Sequence, residues 1–424
     1  MSNCAIVGIN WGDEGKGRMV DLISSDYDVV VRYQGGGNAG HTVINEFGKF
    51  ALHLLPSGIF REGVVSVIGN GVAVDPESLL SEIRYVRDKG VSLTPDKLKI
   101  SSRASLLLPW HKELDCLEEQ RLADKKFGST KQGIAPFYSD KYQKKTVLAG
   151  ELFDEKAFFE HLQGIMEWKN LTIEKVYGAA PTTMEQLREW YDTCCVPLMP
   201  FIGDLDDFYD TCKQQDKKIM FEAQLGSLRD IDYGIHPYTT SSSTIAAYAP
   251  IGAGAPYLKL DEIIGVVKAY STCVGEGPFT VEWFGEEADK LREHGGEYGA
   301  KTGRPRRVGS FDAVATRYGV KVQGATAIAL TKLDVLSYMD KIPVCVKYKV
   351  GDRTTDRFPF PSLLAQSEPV TEYLPGWGCD ISPIRRFEDL PQEAQDYVLF
   401  IEKQIGCYIK YVSVGPERDS IIIR

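Results

Sequence analysis

Between Gly8 and Gly17 the chain places four glycines, a lysine and an adjacent acidic pair, in the order Gly8-Ile-Asn-Trp-Gly-Asp-Glu-Gly-Lys-Gly17. Glycines allow backbone amides to converge on phosphate oxygens, and Lys16 supplies a full positive charge where those phosphates would sit. Asp13 and Glu14 do not belong in a plain phosphate cradle, because they repel the ligand. A carboxylate at that place makes sense if it binds Mg2+ or removes a proton from a substrate. The usual P-loop frame G-x-x-x-x-G-K-[ST] is not met: Asn10 stands where it needs glycine and Gly17 where it needs Ser or Thr. A solvated turn would require far less than this stretch contains.

Three further groups have chemical potential. Thr331-Lys-Leu-Asp334 closes a fully apolar run. A carboxylate at a strand end accepts two hydrogen bonds from a base with adjacent N–H and NH2 donors, which guanine has and adenine lacks, while a lysine stem covers the ring. His41, in Asn38-Ala-Gly-His-Thr42, lies in a glycine-rich loop rather than on an apolar helix face. It is suited to protonating or hydrogen-bonding an oxygen that gathers negative charge. Arg304, Arg306 and Arg307 follow Lys301-Thr-Gly303 and suit carboxylate or phosphate, which arginine grips bidentately. The lysine-rich stretch 125–145, with its Gly128-Ser-Thr130 core, is a solvated face, a second phosphate contact or a subunit contact.

These groups must be held by strands and helices. Cys4–Val7 reads as a buried first strand, and a helix starts near Met19. Tyr27–Tyr33 and Val64–Ile68 read as strands, residues 42–55 as a hairpin turning at Phe47-Gly48, and Pro76–Lys89 as a helix with proline at its start and Gly90 beyond its end. Residues 111–124 read as an amphipathic helix, 125–146 as a loop, and about 154–216 as helical. Lys218–Phe221 is read as a strand opening at Glu222 into a long polar loop. Strands are expected at 266–270, 325–330, 343–349 and 408–414, with a helix at about 310–319. Strands alternating with helices, with glycine loops at strand ends, predict one α/β domain over residues 1–424. Its large, mainly parallel twisted sheet is flanked by helices, P-loop-NTPase-like, with a helical insertion at about 111–216.

Composition narrows the class. The 424 residues are 43% hydrophobic and 25% charged with a net charge of −10, which argues against a general nucleic-acid binder. The nine cysteines form no C-x-x-C pair and have irregular spacing, a pattern that suits reduced thiols in a cytoplasmic protein. No signal-peptide pattern and no run of about 18–20 apolar residues is present, so no membrane association is expected.

The ordered stretches WGDEGKG at 11–17, HLLPSGI at 53–59, IGNGV at 68–72, KAYSTCVGEGPF at 268–279, TGRPRR at 302–307, TKLDVL at 331–336, PGW at 375–377 and SVGPER at 413–418 resemble adenylosuccinate synthetases from end to end. RYQGG followed by NAGHT within 32–42, and the DIDYG, HPY and TSS elements within 230–242, do so too. The resemblance implies a cytoplasmic homodimer that makes adenylosuccinate, GDP and phosphate from IMP, GTP and L-aspartate, through 6-phosphoryl-IMP, with one Mg2+ per subunit. It implies catalytic roles for Asp13, as the base at N1 of IMP, and for His41. Mg2+ would be held by Asp13 and the Gly40 carbonyl. IMP would be met by Asp13, Glu14, Gly15, Lys16, Asn38, Ala39, Gly40, His41, Thr130, Lys144, Gln224, Leu225, Thr240 and Arg304. Thr302 and Arg304 would hold aspartate. GTP would be met by Gly12, Asp13, Glu14, Gly15, Lys16, Gly17, Gly40, His41, Thr42, Arg306, Lys332, Leu333, Asp334, Ser413, Val414 and Gly415.

The chain departs from the family pattern at three places. Lys144 stands where the family usually has an arginine given to IMP by the partner subunit. Leu225 aligns with a family glutamine that touches IMP, with Gln224 one residue earlier. Gly-Ser-Thr-Lys-Gln-Gly replaces Gly-Ser-Thr-Gly-Arg-Gly at 128–133. Two rivals are a sister ligase with a guanine nucleotide as aspartate acceptor, against which Asp13 argues, and a GTP-binding switch protein, which would not need the arginine cluster or His41.

Overall fold

The computed structural model describes residues 2–45, 47–125, 128–299 and 303–424. A ten-stranded sheet runs through the molecule in the order Ile421–Ile423, Ile409–Ser413, Ala327–Thr331, Glu262–Lys268, Asn3–Gly8, Ile219–Gly226, Val29–Arg32, Val65–Ile68, Leu98–Ser101, Ile202–Gly203. Every pairing is parallel except the one made by Ile421–Ile423. Runs such as Val29-Val-Val-Arg32 are buried at every position, as expected of strands covered by helices on both faces. Because the central strands are parallel, their carboxyl ends lie on one edge, where ligands bind in open α/β sheets.

Most elements lie where the sequence places them. Asn3–Gly8 leads through the glycine loop into the helix Lys16–Ile23. His41–Asn45 pairs with Gly48–Leu52 as the expected hairpin. The helix Pro76–Asp88 is capped by Asp75, whose carboxylate accepts from the Ser78 amide. The helix Ala313–Gln323 is capped by Asp312. A second, mainly antiparallel sheet is built on Lys341–Val350, which pairs with Ser367–Pro375. Among the described residues no helix is long and apolar enough to cross a membrane.

Two expectations are corrected. Residues 125–146 are not all loop: Ile134–Gln143 is a helix. Its buried face is Ile134, Phe137, Tyr138 and Asp140, a helical spacing hidden among lysines that mostly flank its ends, and Pro136 falls in its first turn, where no amide partner is lost. The strand expected to end at Phe221 continues to Gly226. It does so across a register shift, with Glu222 opposite Ile6 and Gly226 opposite Gly8. The extra length is taken up at Leu225, which adopts φ 61°, a left-handed backbone that costs an L-residue about 1 kcal/mol.

Candidate active site

The glycine loop is held by its own acidic residue. Glu14 is buried, and its Oε1 accepts hydrogen bonds from the amides of Gly12 at 2.7 Å and Asn10 at 3.2 Å. Lys16, also buried, donates to the Gly12 carbonyl at 2.8 Å and lies 3.7 Å from Glu14. Burial pushes the Glu14 carboxyl up and the Lys16 ammonium down. Gly12 and Gly15 sit at φ 106° and 97°. A Cβ on Gly12 would come within 2.4 Å of the Leu225 Cα, so glycine is obligatory there.

Asp13 points the other way. Thr272 Oγ1 lies 2.7 Å from each of its carboxylate oxygens and donates to them. Lys268 Nζ and Arg306 Nε lie 3.6 and 3.7 Å from Oδ2. Lys268 and Arg306 both donate to Glu297, a fully buried carboxylate that also accepts from the Tyr270 hydroxyl. Burial works to raise Glu297, but Lys268, Lys332 and Arg306 outweigh it and hold it at about 2.

His41 opens its hairpin and packs against the start of the phosphate helix; a Cβ on Gly17 would meet the His41 Cβ at 2.9 Å. Its Nδ1 is bonded to Glu222, and its buried Nε2 has no partner. Glu222 is fully buried and also accepts from the Ser57 amide at 2.8 Å and hydroxyl at 2.6 Å. Burial works to raise its carboxyl, but His41, Arg32 and Ser57 hold it at about 2. Burial is also the main reason the His41 pKa is lowered, with Glu222 opposing it. Asn38 Oδ1 and Thr240 Oγ1 are likewise buried without partners. Such atoms are rare in a finished core and are what a polar ligand satisfies.

Gln224 bonds the backbone of a neighbouring loop. Fully buried, it donates to the carbonyls of Gly36 at 2.7 Å and Ala39 at 3.2 Å and accepts from the Gly36 amide at 2.9 Å. Its amide shapes the loop that carries Asn38, Ala39 and Gly40, while Leu225 is the half-buried neighbour.

On the other side of the phosphate helix, Lys332, at φ 61°, donates to the Gly295 carbonyl and lies 3.6 Å from Glu297. Asp334 lines a cavity of about 410 Å³ with His294, Tyr338, Cys379, Asp380 and others. Burial raises its carboxyl, and Lys332 and Arg18 pull it down. Leu333 and Val414 are buried in the core and offer only backbone: the Leu333 amide donates to the Ser413 carbonyl at 3.1 Å. Arg18 donates to the Ser413 hydroxyl and the Glu417 carbonyl, tying the phosphate helix to the segment of Ser413 and Gly415.

The remaining sequence candidates are more dispersed. Thr130 is exposed on a loop anchored by Asp115, which accepts from the Ser129 hydroxyl at 2.6 Å and the Gly133 amide at 2.8 Å. Lys144 caps the helix Ile134–Gln143 on an exposed turn at φ 61°. Arg304 is exposed, its carbonyl accepting from the Gly299 amide. Thr302 and the side chain of Thr42 lie outside the described residues. Sequence reasoning had not singled out Glu222, Lys268, Thr272 or Glu297. The first two carry a signal: each is a charge in an apolar parallel strand, Glu222 inside one and Lys268 at the end of another, and a buried charge demands a partner.

An open parallel sheet, a glycine loop with lysine at a helix start, and a cavity lined by Asp334 define a nucleotide-dependent enzyme of the α/β class. The sequence model of the adenylosuccinate synthetase family matches residues 5–422. An adenylosuccinate synthetase of Halothermothrix orenii is 45% identical over 425 residues, covering 100% of this chain and 99% of its own. The structure of a fully ligated adenylosuccinate synthetase from Plasmodium falciparum superposes with a TM-score of 0.91 at 35% identity, covering 99% of both chains. A cyanophage S-2L succinoaminodeoxyadenylate synthetase shares the fold, with a TM-score of 0.63 at 18% identity, over 100% of this chain and 95% of its own. The chain belongs to the adenylosuccinate synthetase family. Its activity is the GTP-dependent ligation of L-aspartate to IMP, giving adenylosuccinate, GDP and phosphate.

Proposed function

We propose that Asp13 takes the proton from N1 of IMP, that the O6 so activated attacks the γ-phosphorus of GTP, and that the amine of aspartate then displaces phosphate from C6 of 6-phosphoryl-IMP. His41, as the imidazolium with Nδ1–H held by Glu222, directs its Nε2–H at the oxygen on which charge gathers during transfer. Lys16 and the loop glycines Gly12, Gly15 and Gly17 cradle phosphate, and Arg306 faces the reacting centre from the other side. Transfer of this kind rests on positioning and charge neutralisation.

The observation that carries this reading is the orientation of the His41 ring. With Nδ1 committed to a carboxylate held at about 2, the ring is fixed in orientation and only Nε2 is available, buried and unpartnered. A structural histidine would have both nitrogens satisfied.

Lys332 and Asp334 read guanine; Asn38, Thr130 and Thr240 hold IMP; Thr302 and Arg304 hold aspartate. Asp13 and the Gly40 carbonyl would hold one Mg2+ per subunit. These are hard oxygen donors and few, which suits an ion that keeps most of its shell for water and phosphate. Among the described residues no group of three or more His, Cys, Asp or Glu forms a separate metal cage. When bound, Mg2+ neutralises phosphate charge. The exposed turn at Lys144 is read as the part given to a partner subunit in a homodimer. Residues 1–424 are taken as one domain with a helical insertion at about 111–216, and the nine free cysteines support a cytoplasmic setting.

The test is positional isotope exchange in GTP labelled with 18O at the β,γ-bridge. Scrambling in the presence of IMP and Mg2+ without aspartate is expected if phosphoryl transfer comes first. Absence of scrambling under conditions that support full turnover with aspartate would overturn the stepwise order.

A further inference from the structure

Glu297 sits where three substrate regions meet. It follows the helix Gly285–Gly295, which ends at Gly296 in the left-handed conformation, and it begins the segment that leads to Arg304 and Arg306. Its backbone carbonyl accepts from the Arg306 amide at 2.9 Å. Its carboxylate receives Lys268 at 2.8 and 2.9 Å, the Tyr270 hydroxyl at 2.5 Å and Arg306 Nη1 at 2.6 Å, with Lys332 Nζ at 3.6 Å. The side chain is fully buried. A carboxylate with this many donors in a low-dielectric setting is held in one place.

Two of its cations are shared. Lys268 Nζ lies 3.6 Å and Arg306 Nε 3.7 Å from Oδ2 of Asp13, and Lys268 also donates to Thr272, itself bonded to Asp13. Asp13 and Glu297 therefore compete for the same two positive charges. The third cation, Lys332, lies two residues before Asp334, which lines the cavity read as the base pocket. Glu297 touches both sets.

We propose that Glu297 is a positioning residue: it draws Lys268 and Arg306 off Asp13, leaving the Asp13 carboxylate able to face substrate, and it anchors Lys332 at the edge of the guanine pocket, so that the two ends of the GTP-and-IMP site are set by one buried charge. This rests on the reading of Asp13 as base and Lys332 as guanine cover. Glutamine at 297 keeps the shape but removes the charge. Lys268 and Arg306 then close on Asp13, the remaining carboxylate, and Lys332 loses its anchor.

The experiment is a mutant cycle at saturating co-substrates. Glu297→Gln is expected to lower kcat about tenfold or more and to raise KM for GTP about tenfold, with KM for IMP within about twofold. Glu297→Asp, which keeps the charge, is expected to recover much of the kcat loss and serves in its place if Glu297→Gln does not fold. Lys332→Met should raise KM for GTP by itself, and adding the Glu297 change should raise it no further, because the two act through one contact. Wild-type kcat and KM in a Glu297 variant whose only change is a lower Tm would overturn the proposal, as would fully additive effects on KM for GTP. If Lys332→Met alone leaves KM for GTP unchanged, the reading of the base pocket falls instead. That outcome is separable from the first, since the kcat effect through Asp13 is measured independently.

Discussion

His41 reaches the active edge of the sheet by leaning on Glu222: its Nδ1 is bonded to the Glu222 carboxylate, which is fixed in turn by the amide and hydroxyl of Ser57. The ring cannot rotate without breaking a charge-assisted bond in a buried setting.

Glu222→Gln is therefore expected to reduce kcat by about tenfold or more, and His41→Asn by about 10²-fold, with KM for IMP nearly unchanged in both. Steady-state kinetics decide the matter. A rise in KM for IMP with kcat intact would make His41 a binding residue.

Asp334 accepts hydrogen bonds from N1–H and the 2-amino group in the guanine reading. Asp334→Asn turns one acceptor into a donor, which clashes with guanine and matches the 2-carbonyl of xanthine. The variant should lose GTP and gain XTP as phosphoryl donor, a swing of up to about 10⁴-fold in kcat/KM, while the constants for IMP and aspartate barely move. Retention of wild-type GTP use would place base recognition elsewhere.

Lys144, on its exposed turn, is read as serving the neighbouring subunit. Mixing inactive Lys144→Ala with inactive Asp13→Asn chains should then restore activity, because one of the two sites in each heterodimer is intact. No recovery after mass spectrometry has confirmed subunit exchange would exclude Lys144 from a shared site.

Asp312 gives a pH signature unconnected with catalysis. It caps the helix Ala313–Gln323, accepts from the Tyr348 hydroxyl, and is raised to about 6 by burial against the opposing effects of its hydrogen bonds. A carboxyl whose folded pKa is raised binds its proton more tightly when folded, so its contribution is present below about 4 and is lost as pH rises from about 4 to about 6. Asp312→Asn carries no charge to bury and can still cap through its Oδ1. Its Tm relative to wild type should improve by a few degrees on going from pH 4 to pH 7.5, for a difference of roughly 1–3 kcal/mol. A Tm difference independent of pH would refute the assignment.

The parallel sheet could be read from the sequence because its strands are unbroken apolar runs ending in glycine, and the phosphate loop because its composition exceeds what a turn needs. Other features were hidden for identifiable reasons. The helix Ile134–Gln143 was obscured by flanking lysines that outnumber its three buried apolar side chains. The continuation of a strand through Leu225 depends on a register shift against Asn3–Gly8, which no periodicity within one segment can reveal. Glu297, two residues beyond the helix Gly285–Gly295, looked like one more charge in a glycine-rich loop. Its importance comes from Lys268 and Lys332, which lie on two other strand ends and meet it only in three dimensions.

Gly35 and Gln224 show how far such closeness constrains change. A Cβ on Gly35 would lie 1.7 Å from the Gln224 Oε1, and Gly35 sits at φ 79°. The two positions are thus one unit of inheritance. A library randomised at 35 alone should return glycine, whereas a library randomised at both should admit alanine or asparagine at 35 only beside a shortened residue at 224. Drift at this corner of the site must begin on the strand, at 224, and reach the loop second.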